Sequence, residues 1–214
     1  MLQFADPLPP VYAPVILTEA SLAGIQRYAT RLRNAAYGLW QGTISYEYFQ
    51  ASVELSIKIG LTDAWYQGAF SMGIAPEELT TKELSALREA IFSEYQYIGG
   101  LASFILNNSR ANGGLLRTVQ ARLDLWETRW NDIYNRAKVM AGQDQKLAWR
   151  YGDTIHCEDC SALNGKVKRA SVWAASGIAP QSHALACGGW SCACEFENTS
   201  DPCSRGKLPK LKGP

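Results

Sequence analysis

From Leu116 to Met140 the chain reads LRTVQARLDLWETRWNDIYNRAKVM, and this segment has the clearest helical pattern in the sequence. Its apolar residues recur every three or four positions, which is the period of an α-helix with one buried face. They are Leu116, Val119, Leu123, Trp126, Trp130, Ile133, Ala137 and Met140. A helix of this length extends for about 37 Å, at 1.5 Å per residue. We therefore expect it to pack along its whole length against a helical partner.

The preceding segment predicts that partner. Thr80 and Glu83 have the spacing of a capping box, in which a hydroxyl and a carboxylate bond the first free amides of a helix. An apolar stripe follows at Leu84, Leu87, Ile91, Tyr95, Ile98, Ala102 and Ile105, and an Asn/Gly-rich break follows at residues 107–114. A short break between two long helices indicates an antiparallel pair. The predicted fold class is therefore mainly α, with a long antiparallel helix pair in the helical body.

The rest of the helical domain, residues 17–148, shows shorter patterns. One helix is expected from Leu17 to the glycines near Trp40, and a second from Ser45 to Ile59, where Gly60 should stop it. A third piece would cover residues 61–72. Residues 1–16 contain four prolines, which disfavour a helix, and predict an extended arm.

Composition excludes several classes of protein. The chain has 214 residues, of which 47% are apolar and 19% charged, as in ordinary globular proteins. The formal net charge is +1, so electrostatic binding of nucleic acid by the whole surface is not expected. No apolar run reaches the roughly 18 residues of a membrane span, so no membrane partner is predicted. The first residues, Met1–Asp6, lack a basic region before an apolar core, so we expect no signal peptide and a reducing compartment.

All six cysteines lie after residue 156, which indicates a second, chemically distinct part. Cys157 and Cys160 form a C-x-x-C pair, a spacing at which two thiolates can chelate one metal ion from a tight turn. Cys192 and Cys194 would point to the same face of an extended segment. In a reducing compartment such a cluster is more often a metal site than a set of disulfides. The sequence therefore predicts a small β/loop module over residues 149–200, stabilised by Zn²⁺.

The cysteines outnumber the four positions of a structural zinc site. Cys157 and Cys160 are the first two predicted ligands, and two of Cys187, Cys192 and Cys194 would complete the set. His183 is an alternative for one of them. Four protein ligands leave no open coordination position, so such a zinc would hold the fold and perform no catalysis. A redox C-x-x-C and a set of disulfides are the competing hypotheses.

Catalysis has little support in the sequence. The two histidines, His156 and His183, both lie in the cysteine region, and no phosphate-binding loop or nucleophile elbow is present. His156 is interpreted as a surface residue or one that contacts a ligand. We expect no enzyme and no small-molecule substrate. Residues 201–214 carry Lys and Arg without acids after Cys203 and predict a flexible basic tail.

Three motifs together resemble the C-terminal part of tailed-phage minor head proteins, the head-morphogenesis family related to the F protein of phage Mu. They are Trp149–Asp153, the C-x-x-C with Leu163–Val167 after it, and Pro180 with the late Cys192 and Cys194. The family often has His-Pro before its last cysteine pair, whereas this chain has Cys187-Gly188-Gly189-Trp190. The resemblance covers about residues 149–199.

This resemblance implies a structural role. Such proteins are made in the bacterial cytoplasm, are present in few copies in the phage head, and act in head assembly or in DNA packaging and delivery. The implied partners are the portal protein or the major capsid protein, with contact to packaged DNA.

An alternative function follows from the residues alone. Lys166, Lys168 and Arg169 lie beside the cysteine cluster, and the tail adds further cations. Because phosphate contacts use Lys and Arg, a zinc-containing nucleic-acid-binding adaptor is the second hypothesis.

Overall fold

The computed structural model describes residues 17–190 and 192–213. In chain order the elements are α1 (Leu17–Gln41), α2 (Tyr46–Phe70), α3 (Thr81–Tyr95), α4 (Ile98–Asn107), α5 (Leu116–Ala141), β1 (Lys146–Arg150), α6 (Glu158–Leu163), β2 (Val167–Arg169), α7 (Ala170–Ser176) and β3 (Glu195–Asn198). The fold is mainly helical, with a small C-terminal sheet, as predicted. The extended arm expected over residues 1–16 lies outside the described residues. None of the helices in the described ranges has the length and apolarity needed to cross a membrane.

The long helix α5 is confirmed, but its predicted partner is wrong. The helix expected over residues 84–105 is interrupted at Gln96 and Tyr97, which separate α3 from α4. After this interruption the apolar face of α4 packs against α1 and α2. The main partners of α5 are instead α2 and α1. Helix α1 runs antiparallel to α5, since Gly24 lies beside Trp130 whereas Arg33, later in α1, contacts the earlier Asp124 and Glu127.

Helix α2 continues through Gly60, where the sequence predicts a stop. The reason is a close approach between helices, because the buried ring of Tyr28 in α1 lies directly over this residue. A Cβ atom at position 60 would lie 2.3 Å from Cδ2 of Tyr28. Glycine therefore serves helix packing here and does not end the helix. The predicted pieces 45–59 and 61–72 form one helix that ends at Phe70.

The C-terminal module has its own small core. Its three strands form an antiparallel sheet in the order β2-β1-β3, so β1 is central. Three aromatic rings fill the core: the centroid of Phe196 lies 5.5 Å from that of Trp149 and 5.0 Å from that of Trp173. Met72 and Val139 of the helical body join this cluster. Because β1 begins at Lys146, the module starts three residues before the predicted boundary at 149.

The segment predicted to be a flexible tail lies along the module instead. The amide of Ser204 donates to the carbonyl of Val167 at 2.8 Å, and the amide of Lys212 donates to the Asp159 carboxylate at 2.9 Å. Leu208 and Leu211 pack against the module core. These apolar and backbone contacts fix the segment although its composition is basic.

Candidate metal centre

The C-x-x-C pair is positioned by the start of helix α6. Cys157 is the N-cap residue of this helix, and its sulfur accepts a hydrogen bond from the amide of Cys160 at 3.5 Å. A cap residue and a residue three positions later lie on the same side of the first turn, which explains the spacing. Cys187 approaches from the loop after Leu185, and Cys192 and Cys194 come from the segment that enters β3.

The structure brings all five predicted ligands together. Their sulfur atoms form two groups of three, and within each group every sulfur lies within 4.8 Å of the others. The first group, thiol group A, is Cys157, Cys160 and Cys187. The second, thiol group B, is Cys160, Cys192 and Cys194. Cys160 belongs to both, so the cluster could hold a metal ion with this residue at its centre.

The spacing and burial of the thiols fit a metal site. The sulfurs of Cys160 and Cys192 lie 3.7 Å apart. Two thiolates on one tetrahedral zinc, each at 2.3 Å from the ion, would be about 3.8 Å apart. Group B is fully buried, whereas Cys157 and Cys187 of group A are partly exposed. Cys203 is exposed and belongs to neither group.

The thiols perturb one another strongly. Hydrogen bonds with the sulfurs of Cys160 and Cys192 lower the pKa of Cys194 below its ordinary value. Hydrogen bonds with the sulfurs of Cys192 and Cys194 raise the pKa of Cys160 above its ordinary value. Burial raises the pKa of Cys187 to about 11. Closely packed thiols thus share their protons unequally, and a cation among them would favour the thiolate form of each.

The two histidines have different surroundings. Nδ1 of His156 lies 3.6 Å from the sulfur of Cys194, and its ring stacks on Tyr151. His156 is therefore a residue that contacts a candidate ligand, as expected. His183, the predicted alternative ligand, belongs to neither thiol group. Its Nδ1 lies 3.1 Å from the carbonyl oxygen of Gly188, and its ring faces Trp190.

Two buried side-chain amides, those of Gln181 and Asn135, connect the last cysteine pair to the helical body. The Gln181 side-chain amide donates to the carbonyl oxygens of Cys192 and Cys194, at 3.0 and 2.5 Å. Its own oxygen accepts a hydrogen bond from Asn135 of α5 at 2.9 Å. This chain of hydrogen bonds connects the cluster to the helical body. No local sequence signal marks Gln181, since its role depends on a loop that folds back over the module.

Asp159 performs a similar function on the other side of the cluster. Its buried carboxylate accepts hydrogen bonds from the amide of Ala186 at 2.8 Å and from the amide of Lys212. It therefore fixes the loop next to Cys187 and the C-terminal segment against α6. Its position inside the C-x-x-C could have indicated this role.

Two glycines allow the loops around the cluster to approach closely. Gly189 has a φ of +80°, and a Cβ there would lie 2.1 Å from the carbonyl oxygen of Gln181. At Gly152 a Cβ would lie 1.9 Å from the carbonyl oxygen of Ala193. A side chain at position 152 would therefore displace the segment of the last cysteine pair, and a side chain at position 189 would displace Gln181.

A separate cavity of about 860 Å³ lies between α5 and α7. Its polar wall includes Arg129, Asp132, Arg136 and His183. Two of these groups already pair with each other, since Arg129 donates to Asp132 at 3.0 Å. Burial raises the pKa of Asp132, and the cations of Arg129 and Arg136 oppose that shift.

Comparison of the chain with protein-family models, curated proteins and solved structures gave no significant match. The function of the chain is therefore inferred from its own residues and motifs.

Proposed function

We propose that the thiol cluster binds Zn²⁺ and that this metal holds the C-terminal module together. The observation that carries the proposal is the convergence of five thiols around Cys160, from two segments that are far apart in the chain. Thiolates prefer zinc among the common divalent metals of a reducing cell. A module with three short strands and a small aromatic core needs such support, and structural zinc supplies on the order of 10 kcal/mol of folding free energy.

The zinc proposal is tested by elemental analysis and X-ray absorption spectroscopy of the full chain, purified under reducing conditions without added metal. The expected result is bound zinc with sulfur ligands at about 2.3 Å. Protein that is folded, reduced and metal-free would overturn the proposal. A Cys203→Ser variant is the matched control, because Cys203 lies outside both thiol groups and should leave the metal content unchanged.

For the whole chain, the role that these features support best is that of a structural minor head protein of a tailed phage or prophage, acting in head assembly or in DNA packaging and delivery. The support is that the residues carrying the family resemblance contact one another. The amide of Gly165 donates to the carbonyl of Trp149 at 2.9 Å, and the amide of Tyr151 donates to the Asn164 side chain at 3.1 Å. The motifs thus belong to one structural unit together with the cysteines.

The helical body offers side chains for a protein partner, which would be the portal or the major capsid protein. Helix α2 exposes Tyr48 and Leu55, with 64% and 57% of their surface accessible. Phe92 and Tyr97 are also about half exposed. Exposed aromatic residues are common at protein interfaces, so these positions are the first to test for binding.

The head-protein proposal is tested by quantitative mass spectrometry of purified virions and procapsids from the source system. A few to some dozens of copies of this chain per particle are expected. Absence from both kinds of particle would overturn the proposal and leave the zinc proposal standing. Double substitution of Tyr48 and Leu55 by Ser should reduce incorporation if α2 is the docking face.

The nucleic-acid-binding alternative has less support, because contacts within the chain occupy several of its cations. The Lys168 amine donates to the carbonyl oxygens of Ser204 and Gly206 at 2.6 and 2.7 Å. Arg169 pairs with Asp144, and Lys212 pairs with Glu158. Binding to DNA that weakens steeply with salt would favour this alternative.

A further inference from the structure

The five sulfurs do not form a single set in which every pair of atoms lies within 4.8 Å. In the described part of the chain, the sets of cysteine sulfurs that lie within 4.8 Å of one another are groups A and B, each with three members. One tetrahedral ion with four thiolates would need four sulfurs mutually about 3.8 Å apart. Two ions instead require two groups of sulfurs around different centres. The arrangement has two such centres, and they share the sulfur of Cys160.

We propose that the module binds two metal ions and that the thiolate of Cys160 bridges them, an inference that rests on the proposed metal binding. A thiolate sulfur has three lone pairs and can coordinate two cations at once. The first ion takes Cys157, Cys160 and Cys187, and the second takes Cys160, Cys192 and Cys194. Each thiol releases its proton when it binds a metal ion.

Charge favours two ions over one. Five thiolates carry five negative charges, which two divalent ions reduce to a net charge of about −1. One ion on four thiolates leaves a net charge of about −2 and a further thiol beside it. Because group B is fully buried, uncompensated charge there is costly. The second ion removes part of that cost.

Each ion also has a source for its fourth ligand. The first lies at the partly exposed side of the cluster, where water can reach it beside Cys157 and Cys187. For the second, the further donor is His156, whose Nδ1 lies 3.6 Å from the Cys194 sulfur. A nitrogen and a sulfur bound to the same tetrahedral zinc are about 3.6 Å apart. The ring must move toward Cys160 and Cys192 to complete this site, since it lies outside group B.

Native mass spectrometry of the full chain, reduced and loaded with Zn²⁺, counts the ions directly. Two ions per chain are expected. One ion per chain would overturn the two-ion inference and leave the proposed structural zinc intact, whereas a folded chain with no ion would overturn both. Cys187→Ser and Cys194→Ser should each retain one ion, Cys160→Ser should lose both, and Cys203→Ser should keep two. Loss of all metal from both Cys187→Ser and Cys194→Ser would contradict two separable centres.

The bridge itself is tested by replacing zinc with ¹¹³Cd and recording its NMR spectrum. Two resonances that split each other by scalar coupling are expected, because coupling between the metals must pass through a shared sulfur. Two uncoupled resonances, or one resonance, would overturn the bridge. This readout does not depend on the stability of any variant.

Discussion

The sulfur atoms of Cys160 and Cys192 lie 3.7 Å apart, although 32 residues separate them in the chain. This contact joins the start of helix α6 to the segment that enters β3. It places the two halves of the cysteine pattern in one buried cluster next to Trp149 and Phe196. Closing a chain segment of this length has an entropic cost, which sulfur–metal bonds would offset.

Gln181 should tune metal affinity although it offers no ligand atom to the cluster. Its amide fixes the carbonyl groups of Cys192 and Cys194, so Gln181→Ala would let this pair of thiols move. Groups that orient metal ligands typically contribute 10- to 100-fold in affinity. We expect a zinc dissociation constant raised by about 10-fold or more, measured by competition with a chromophoric chelator. The exposed Gln120 provides the control, and an equal effect of Gln120→Ala would argue against this role.

Removal of the Arg129 side chain should lower the free energy of unfolding of the helical body. This buried guanidinium bonds Glu94 at 2.9 Å and Asp132 at 3.0 Å. Arg129→Met would leave two buried carboxylates without the guanidinium that bonds them, at a cost of about 3–5 kcal/mol. Arg27→Met is the control, because Arg27 pairs with Asp63 near the surface at 3.4 Å and its loss should cost at most about 1 kcal/mol. Urea unfolding gives the free energy of unfolding of both variants. Similar decreases in the two variants would contradict the prediction.

Two glycine-to-alanine substitutions should change the stability of the protein in opposite directions. Gly60→Ala places a methyl group 2.3 Å from the Tyr28 ring, and overpacking of this kind costs about 1–3 kcal/mol. Gly100 lies in exposed helix, and an alanine methyl group there would have no atom within 4 Å beyond its chain neighbours and the nearby backbone of its own helix. Gly100→Ala should therefore stabilise the protein by up to about 1 kcal/mol. Thermal unfolding of both variants checks the pair. Unchanged thermal stability of Gly60→Ala would show that α1 and α2 leave room for a methyl group at this position.

Lys138 should make stability depend on pH above neutrality. Burial lowers the pKa of this amine to about 8, against the opposing effect of Glu195 and Glu197, and the amine donates to the carbonyl of Phe196 at 2.5 Å. An unfolded lysine has a pKa of about 10.4. Between these two pKa values Lys138 is protonated in the unfolded chain and neutral in the folded chain. The free energy of unfolding therefore rises with pH over this window. Below pH 8 the full cost of the buried charge remains.

The Lys138→Met variant isolates this effect, because it keeps the same metal site as the parent chain. The free energy of unfolding of the parent, minus that of the variant, should increase by up to about 3 kcal/mol between pH 8 and pH 10.4. Denaturant titrations at pH 7.5, 9 and 10 supply the difference. Parallel pH profiles for the two proteins would show that Lys138 is not desolvated.

The sequence predicted the long helix α5 and the C-x-x-C pair because both depend on local patterns. The period of Val119, Leu123 and Trp130 is a property of one helix, and their burial confirms it. The C-x-x-C spacing likewise reflects one helical turn at Cys157 and Cys160. Residues with a strong local pattern could therefore be assigned without knowledge of their partners.

The remaining features depend on contacts between distant segments. Gly60 is a typical helix stop in isolation, and only the ring of Tyr28 explains why it lies inside α2. The basic segment after Cys203 predicts a solvated tail, yet Asp159 and Val167 bind its backbone. Backbone hydrogen bonds of this kind leave no trace in composition. Gln181 likewise acts through hydrogen bonds to backbone carbonyl groups, which the sequence does not indicate.

The most direct test of the central claim is amide hydrogen exchange of the reduced full chain, before and after metal removal by a chelator. If metal holds the module together, removal should abolish protection in β1, α6, β2 and β3, while α1, α2 and α5 remain protected. Cys160→Ser should behave like the chelated protein, and Cys203→Ser like the untreated one. Unchanged protection of the module after complete metal removal would contradict the account.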